Sequence, residues 1–210
     1  MSRQIKSQGK KKRILLLCDG ESEIVYSTLT ISTHKVSERL VAVKTKPFKN
    51  LKNILIELKK LKLKTKGMKL AYEEIHLICD KEKLSNKSRQ VSYQNFVAEV
   101  KKLQKEFDDT TLKIITSFPS FEFFLLLHFP LEDKEFKKLH NDKELIDLLS
   151  KQHKNYKKGD KKWMEYAIFK KDYGEKIKRA IDRAIKIKAS DSNSWSNVFE
   201  TVRQILNNSV

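Results

Sequence analysis

The sequence predicts an α/β fold, a parallel sheet flanked by helices, with a basic helical C-terminal portion. Three observations predict it. Four short apolar runs alternate with four stretches of helical periodicity. The 210 residues are enough for one well-buried core. Two of the apolar runs end in the same Cys-Asp-x-Glu string, at Cys18-Asp19-Gly20-Glu21 and Cys79-Asp80-Lys81-Glu82.

Arg13 to Cys18 is a continuous apolar run, the pattern of a strand buried on both faces. Asp19 to Glu23 is turn chemistry followed by acids suited to a first helical turn, and a helix follows from about Glu23 to Ile31. Arg39 to Lys44 reads as the second strand. Asn50 offers an N-cap, and Leu51, Ile54, Leu55, Leu58 and Leu61 recur at helical spacing up to a stop at Gly67. Glu74 to Asp80 is the third strand. A helix from Tyr93 to Phe107 places Phe96, Val97, Val100, Leu103 and Phe107 on one face. Leu112 to Thr116 is the fourth strand. Ser117 to Ser120 turns the chain, and Phe121 to Phe129 is an apolar helix stopped before Pro130. The expected division is a flexible basic arm over 1–12, an α/β core over 13–130, and a helical basic subdomain over 131–210 packed on the core.

Composition excludes several classes. Two cysteines, Cys18 and Cys79, do not make a disulfide scaffold. The longest apolar run, centred on Phe123 to Leu127, is too short for a bilayer, and the N-terminus lacks a signal pattern. A cytoplasmic chain without membrane contact is expected. Five glycines leave no Gly-rich phosphate loop, so any ATP hydrolysis belongs to a partner.

With 45 basic and 27 acidic side chains the net charge is +18. It is concentrated: residues 1–13 carry +6, residues 44–69 carry +9 and residues 151–188 carry +9. Basic clusters gain affinity for polyanions by releasing phosphate counterions, so nucleic acid is the expected partner. Lys11, Lys12 and Arg13 of the arm, with Lys157, Lys158 and Lys161, are the candidate backbone contacts. Solvated helix faces are the plainer alternative.

The repeated Cys-Asp-x-Glu strings suggest chemistry. The carboxyl ends of strands in a doubly wound sheet share one edge, where ligands bind. Carboxylates crowded there repel, and a hard divalent cation with oxygen ligands, Mg²⁺ or Mn²⁺, relieves them. Asp19 and Asp80 end buried runs and are the strongest candidates. Glu21, Glu23 and Glu82 read equally as first-turn acids. Glu122, among phenylalanines, needs a partner if buried, and His128 is read first as a core histidine. Both are expected to support the site from behind. Trp163, Tyr166, Phe169 and Tyr173 recur near helical spacing and read as core, with stacking on a nucleotide as the alternative.

A buried strand ending in an acid-Gly pair, with an acid-x-acid pair ending a later strand, resembles the Toprim fold of topoisomerases, primases and overcoming-lysogenization-defect nucleases. More specifically, Ser117 to Phe129, reading Ser-Phe-Pro-Ser-Phe-Glu-Phe-Phe-Leu-Leu-Leu-His-Phe, resembles the RloB/AbiLii family. Further matches are Cys18 to Glu21, Tyr156 with Lys158, Ala180 and Ala184 in a basic helix, and the turn and helix from Ser192 to Val202. The resemblance spans about residues 13 to 206. It implies a Mg²⁺-dependent nuclease of anti-phage defence (abortive infection), cleaving RNA such as tRNA, or DNA, often beside an ATPase partner. Carried over by position, it gives Asp19 the acid/base role and Asp80 and Glu82 the metal. Lys158, in Tyr156-Lys-Lys-Gly-Asp, reads either as a point charge for a scissile phosphate or as a solvated lysine of a charged loop. Asp19 stands where the family has Glu, Glu82 where a second Asp is usual, and Phe118 where Asn is expected. These departures keep a second reading open, a degenerate nucleic-acid-binding or regulatory subunit, or a site that draws on Glu21. A homo-oligomer is also left open.

Overall fold

The computed structural model describes residues 11–48, 50–64, 70–81, 87–136, 139, 141–188 and 194–209, with the backbone alone at 64, 87–92 and 188. Among these residues the sheet has five strands in the order β2-β1-β3-β4-β5. They are β1 (Ile14–Cys18), β2 (Val41–Val43), β3 (Glu74–Asp80), β4 (Thr111–Phe118) and β5 (Trp195–Ser196). The first four are parallel and β5 is antiparallel to β4.

The α/β expectation holds, and the register shows why. Every β1 side chain is buried, because each face of the sheet is covered. Ile14, Leu16 and Cys18 point to one face, with Ile78 and Ile115 of the neighbouring strands. That face receives α1 (Glu21–Thr33), α4 (Phe121–Leu126), α6 (Asp142–Gln152), α8 (Tyr173–Lys188) and α9 (Val198–Asn207). Leu15, Leu17, Ile75, Leu77 and Cys79 point the other way, onto Ile54 and Leu58 of α2 (Leu51–Lys64) and Phe96, Val100 and Leu103 of α3 (Lys87–Gln104). The chain leaves β1 for β2 on one side and returns past it to β3 on the other. The crevice at the carboxyl ends of β1 and β3 is therefore the topological switch point of the sheet.

Local chemistry sets the helix ends. Asn50 caps α2 by accepting from Asn53 N at 2.9 Å, as the sequence predicts. The proposed stop at Gly67 lies outside the described residues. α4 is shorter than its apolar run suggests. It ends at Leu126, and bonds of the i to i+3 kind, such as Phe129 N to Leu126 O at 3.0 Å, tighten the chain before Pro130. Ser117 and Phe118 belong to β4 rather than to a turn. They pair with Ser196 and Trp195, a partner that arrives from some eighty residues downstream.

The C-terminal portion shares the core of the sheet: one continuous apolar cluster runs from Ile14 through Phe123, Leu145, Trp163, Ile177 and Ala180 to Ile205. α5 (Asp133–Phe136) precedes α6, and between α6 and α8 lie α7 (Lys161–Met164) and a π-turn, Glu165–Phe169. Arg179 donates to His128 O at 2.9 Å, and Arg183 donates to Phe129 O and to Leu131 O, the latter at 2.6 Å. These guanidiniums satisfy carbonyls freed where α4 ends. Residues 1–10 of the expected arm lie outside the described residues. Lys11 Nζ donates to Ser209 O at 3.1 Å, and Lys12 exchanges bonds with Asn208. No helix of the described residues is long and apolar enough to cross a membrane.

His128 is fully buried and bonded within the core. Its Nδ1 faces Phe124 O and Leu125 O at 3.1 Å, so that nitrogen carries the proton and Nε2 accepts from Tyr26 OH at 2.8 Å. Burial pushes its pKa down to about 4 against the two backbone acceptors, with Lys176 and Arg179 adding to the fall. The unfolded chain therefore binds the proton more readily, and stability is lost as pH falls from about 6.5 to about 4. His128→Gln is expected to remove about 2 kcal/mol of that acid loss by pH 5. Urea unfolding at pH 7.5 and pH 5 checks it: the gap between the two pH values narrows in the variant.

Candidate active site at the carboxyl edge of the sheet

Asp19 directly follows β1 and Asp80 is the last residue of β3, and the two strands are hydrogen-bonded neighbours. The anticipated convergence of strand ends is therefore real. Asp19 N donates to Ile78 O at 2.9 Å, and its side chain is buried. Asp80 sits on the face that receives α4, and its Oδ1 accepts from Phe121 N at 2.7 Å. That bond caps the start of α4, whose own cap residue Ser120 directs its hydroxyl elsewhere.

Two acids of the first turn of α1 take opposite directions. Glu21 is exposed, and an ideal Cβ on Gly159 would stand 2.8 Å from Glu21 Cβ. Gly159 has φ of +72°, so the left-handed backbone and the close approach both call for glycine. Glu23 turns inward and is 2 % exposed. An ideal Cβ on Gly20 would meet Glu23 Oε2 at 2.5 Å, so the carboxyl group lies folded over that glycine. Burial raises the Glu23 pKa well above the usual carboxylate range, and the charges of Asp80, Glu122 and Asp19 push it further. Asp19, Asp80 and Glu122 thus all lie within electrostatic range of Glu23.

Glu122 is its best-held member. Oε1 accepts from Ser22 Oγ at 2.8 Å and Tyr156 OH at 2.7 Å. Oε2 faces Ser120 Oγ at 2.9 Å and Lys158 Nζ at 3.5 Å. Ser22 Oγ in turn accepts from Gly159 N at 3.1 Å. Ser120 Oγ also lies 2.5 Å from Asp142 Oδ1, so its one proton is contested between two carboxyl groups. Lys158 closes the circuit by pairing with Asp142. Burial alone would lower the Lys158 pKa, but Glu122, Asp142 and Asp80 outweigh it and the group is held more firmly charged. Burial and the Glu122 charge together raise the Tyr156 phenol, which therefore acts as a donor.

Several anticipated residues meet here: Asp19, Asp80, Glu122 and Lys158. Glu122 is the centre of a hydrogen-bond network that joins Ser22, Ser120, Tyr156 and Lys158. Glu21 is exposed and lies against Gly159, and Glu82 lies outside the described residues. His128 contacts Tyr26 and not the carboxylates. Lys157 and Lys161 are exposed beside Lys158. Lys12 pairs with Glu74 at the first residue of β3, so Lys11, Lys12 and Arg13 stand at the opposite edge of the sheet, about 20 Å away by strand rise. Sequence reasoning missed Ser22, Ser120 and Asp142 and left Glu23 as a helix acid. Hydroxyls carry no spacing signal, and only the x-Lys158 match beside Tyr156 hinted at this loop.

The donor set contains only oxygen, and its acids outnumber the one lysine among them. That is the chemistry a hard divalent cation satisfies. Among the described residues no three carboxylate, imidazole or thiolate groups already converge on one point.

Comparison with protein-family models matches residues 14–206 to the RloB-like protein family. No curated protein and no solved structure matches the chain.

Glu122→Ala takes the buried acceptor from Ser22 and Tyr156 and leaves Ser120 and Lys158 with Asp142 alone, and is expected to cost about 3 kcal/mol. Tyr156→Phe removes one donor and is expected to cost about 1 kcal/mol. Urea unfolding of both variants at neutral pH checks the order; equal effects would mean that the network around Glu122 carries no special weight.

Proposed function

The chain belongs to the RloB-like family, and on that premise we propose that it is a metal-dependent nuclease acting on RNA or DNA in anti-phage defence. The observation that carries the reading is the meeting of Asp19 and Asp80 at the switch point of the sheet with Lys158 opposite. Asp19 and Asp80, with Glu82 in the segment that follows β3, are the oxygen donors for Mg²⁺ or Mn²⁺. When bound, the ion polarises a phosphodiester and lowers the pKa of its water. Lys158 offers a firmly held positive charge for a phosphate oxygen, and Asp142 and Glu122 fix where it stands. Glu23, whose buried carboxyl is pushed above the usual range beside Asp80, Glu122 and Asp19, stands with Asp19 as a residue for the acid/base role. Exposed lysines on either side supply the surface for a polyanion.

A second reading is a binding or regulatory subunit that grips nucleic acid, or an ATPase partner, without cutting. One observation favours it: Asp80 already spends an oxygen on Phe121 N, and no three donors meet among the described residues.

The two readings separate on Asp80→Asn, assayed with total tRNA and with plasmid DNA in Mg²⁺, Mn²⁺ and EDTA. A nuclease loses more than about a hundred-fold of its divalent-dependent cleavage and keeps its nucleic-acid affinity. A binding subunit shows no cleavage with any metal, and Asp80→Asn changes nothing.

A further inference from the structure

We propose that Tyr166 is a stacking platform for an unpaired base, and that the lysines around it hold the phosphates of a single-stranded segment. The inference rests on the reading that the protein engages nucleic acid, but not on cleavage.

Tyr166 lies in the π-turn Glu165–Phe169 and is 57 % exposed. Its neighbours Trp163, Met164, Ala167 and Ile168 are all buried. The π-turn packs its apolar residues inward and leaves this one aromatic ring outside; such turns recur at functional sites. The ring is braced rather than loose. His153 lies against it with ring centroids 5.0 Å apart, and Lys170 Nζ stands 4.6 Å above its centroid. A braced aromatic ring loses little freedom when a base stacks on it.

Its surroundings are strongly positive. Residues 151–171 contain eight lysines and two acids. All eight lysines are exposed. Both acids are engaged: Asp160 accepts from Trp163 N at 3.0 Å as the cap of α7, and Glu165 faces Lys161 at 3.6 Å. A base arriving on Tyr166 takes the place of the Lys170 ammonium, which is released to a phosphate. An exposed aromatic face in a lysine-rich segment matches the recognition of single strands, where every base offers a π-face. Paired bases in a duplex keep their faces stacked on one another, so the platform selects for single strands.

The platform is also joined to the carboxyl edge. Tyr156, whose OH binds Glu122, packs its ring 4.6 Å from Trp163. Trp163 meets His153 at 5.9 Å, and His153 meets Tyr166. Three ring contacts lead from the acidic cluster to the exposed tyrosine, so one strand can engage both.

The test is fluorescence anisotropy on the full chain in EDTA, with a labelled single strand of about twelve nucleotides and the matching duplex, over a salt series. Tyr166→Ala is expected to weaken single-strand binding roughly ten-fold with the salt slope unchanged, and to leave duplex binding alone. Tyr166→Phe keeps the ring and is expected to bind within about two-fold of the parent. The proposal is overturned if Tyr166→Ala binds the single strand like the parent, if Phe fails as badly as Ala, or if single strand and duplex weaken together. The nuclease reading is separable. Cleavage by the parent with unchanged binding in Tyr166→Ala sinks the platform alone. A stacking signature without cleavage under any metal keeps the platform and sinks the nuclease.

Discussion

A carboxylate buried among phenylalanines must be satisfied from every side, and Glu122 is. Its two oxygens draw on Ser22 of α1, Ser120 before α4, and Tyr156 and Lys158 of the loop after α6. An isolated charge in that position would be far too costly, so the three segments are held to one geometry. The Glu122 side chain therefore does more than stabilise. It fixes α1 against the C-terminal portion, brings Gly159 onto Glu21, and sets Lys158 opposite the ends of β1 and β3.

The two edges of the sheet treat buried glutamates in opposite ways. At the amino edge Glu74 faces His76, Lys113 and Lys12, and these partners hold its carboxyl well below the usual range despite burial. At the carboxyl edge Glu23 is buried beside other acids, and its carboxyl rises well above that range. One edge is neutralised within the chain, where Glu74 ties Lys12 and β4 to β3. The other carries an excess of acid. Structural ion pairs account for the first arrangement, and an unbalanced cluster at a switch point is the signature of a site.

The net positive charge follows the same division. The acids that matter are folded inward, while Lys52, Lys59 and Lys60 of α2 and the lysines of residues 151–171 face solvent. The result is a buried acidic cluster at the carboxyl edge beneath a basic surface. Arg179 and Arg183 are an exception among the basic residues, because they serve backbone carbonyls at the end of α4 and thereby anchor α8.

The sequence by itself determined the sheet and its helices, because buried parallel strands are written as unbroken apolar runs and helices as periodic ones. It also determined that Asp19 and Asp80 end such runs, and it carried the family signature from Ser117 to Phe129. The edge strand β5 was not legible: two residues hold no periodicity, and Trp195-Ser196 becomes a strand only because β4 offers it unpaired backbone. The inward turn of Glu23, the serines on Glu122 and the capture of Asp142 by Lys158 were decided by tertiary structure alone. A hydroxyl or a first-turn acid has no preferred partner along the chain. What it bonds depends on which distant segment the packing brings within about 3 Å. The exposure of Tyr166 has the same origin, since helical spacing marks it as core and only the π-turn leaves it outside.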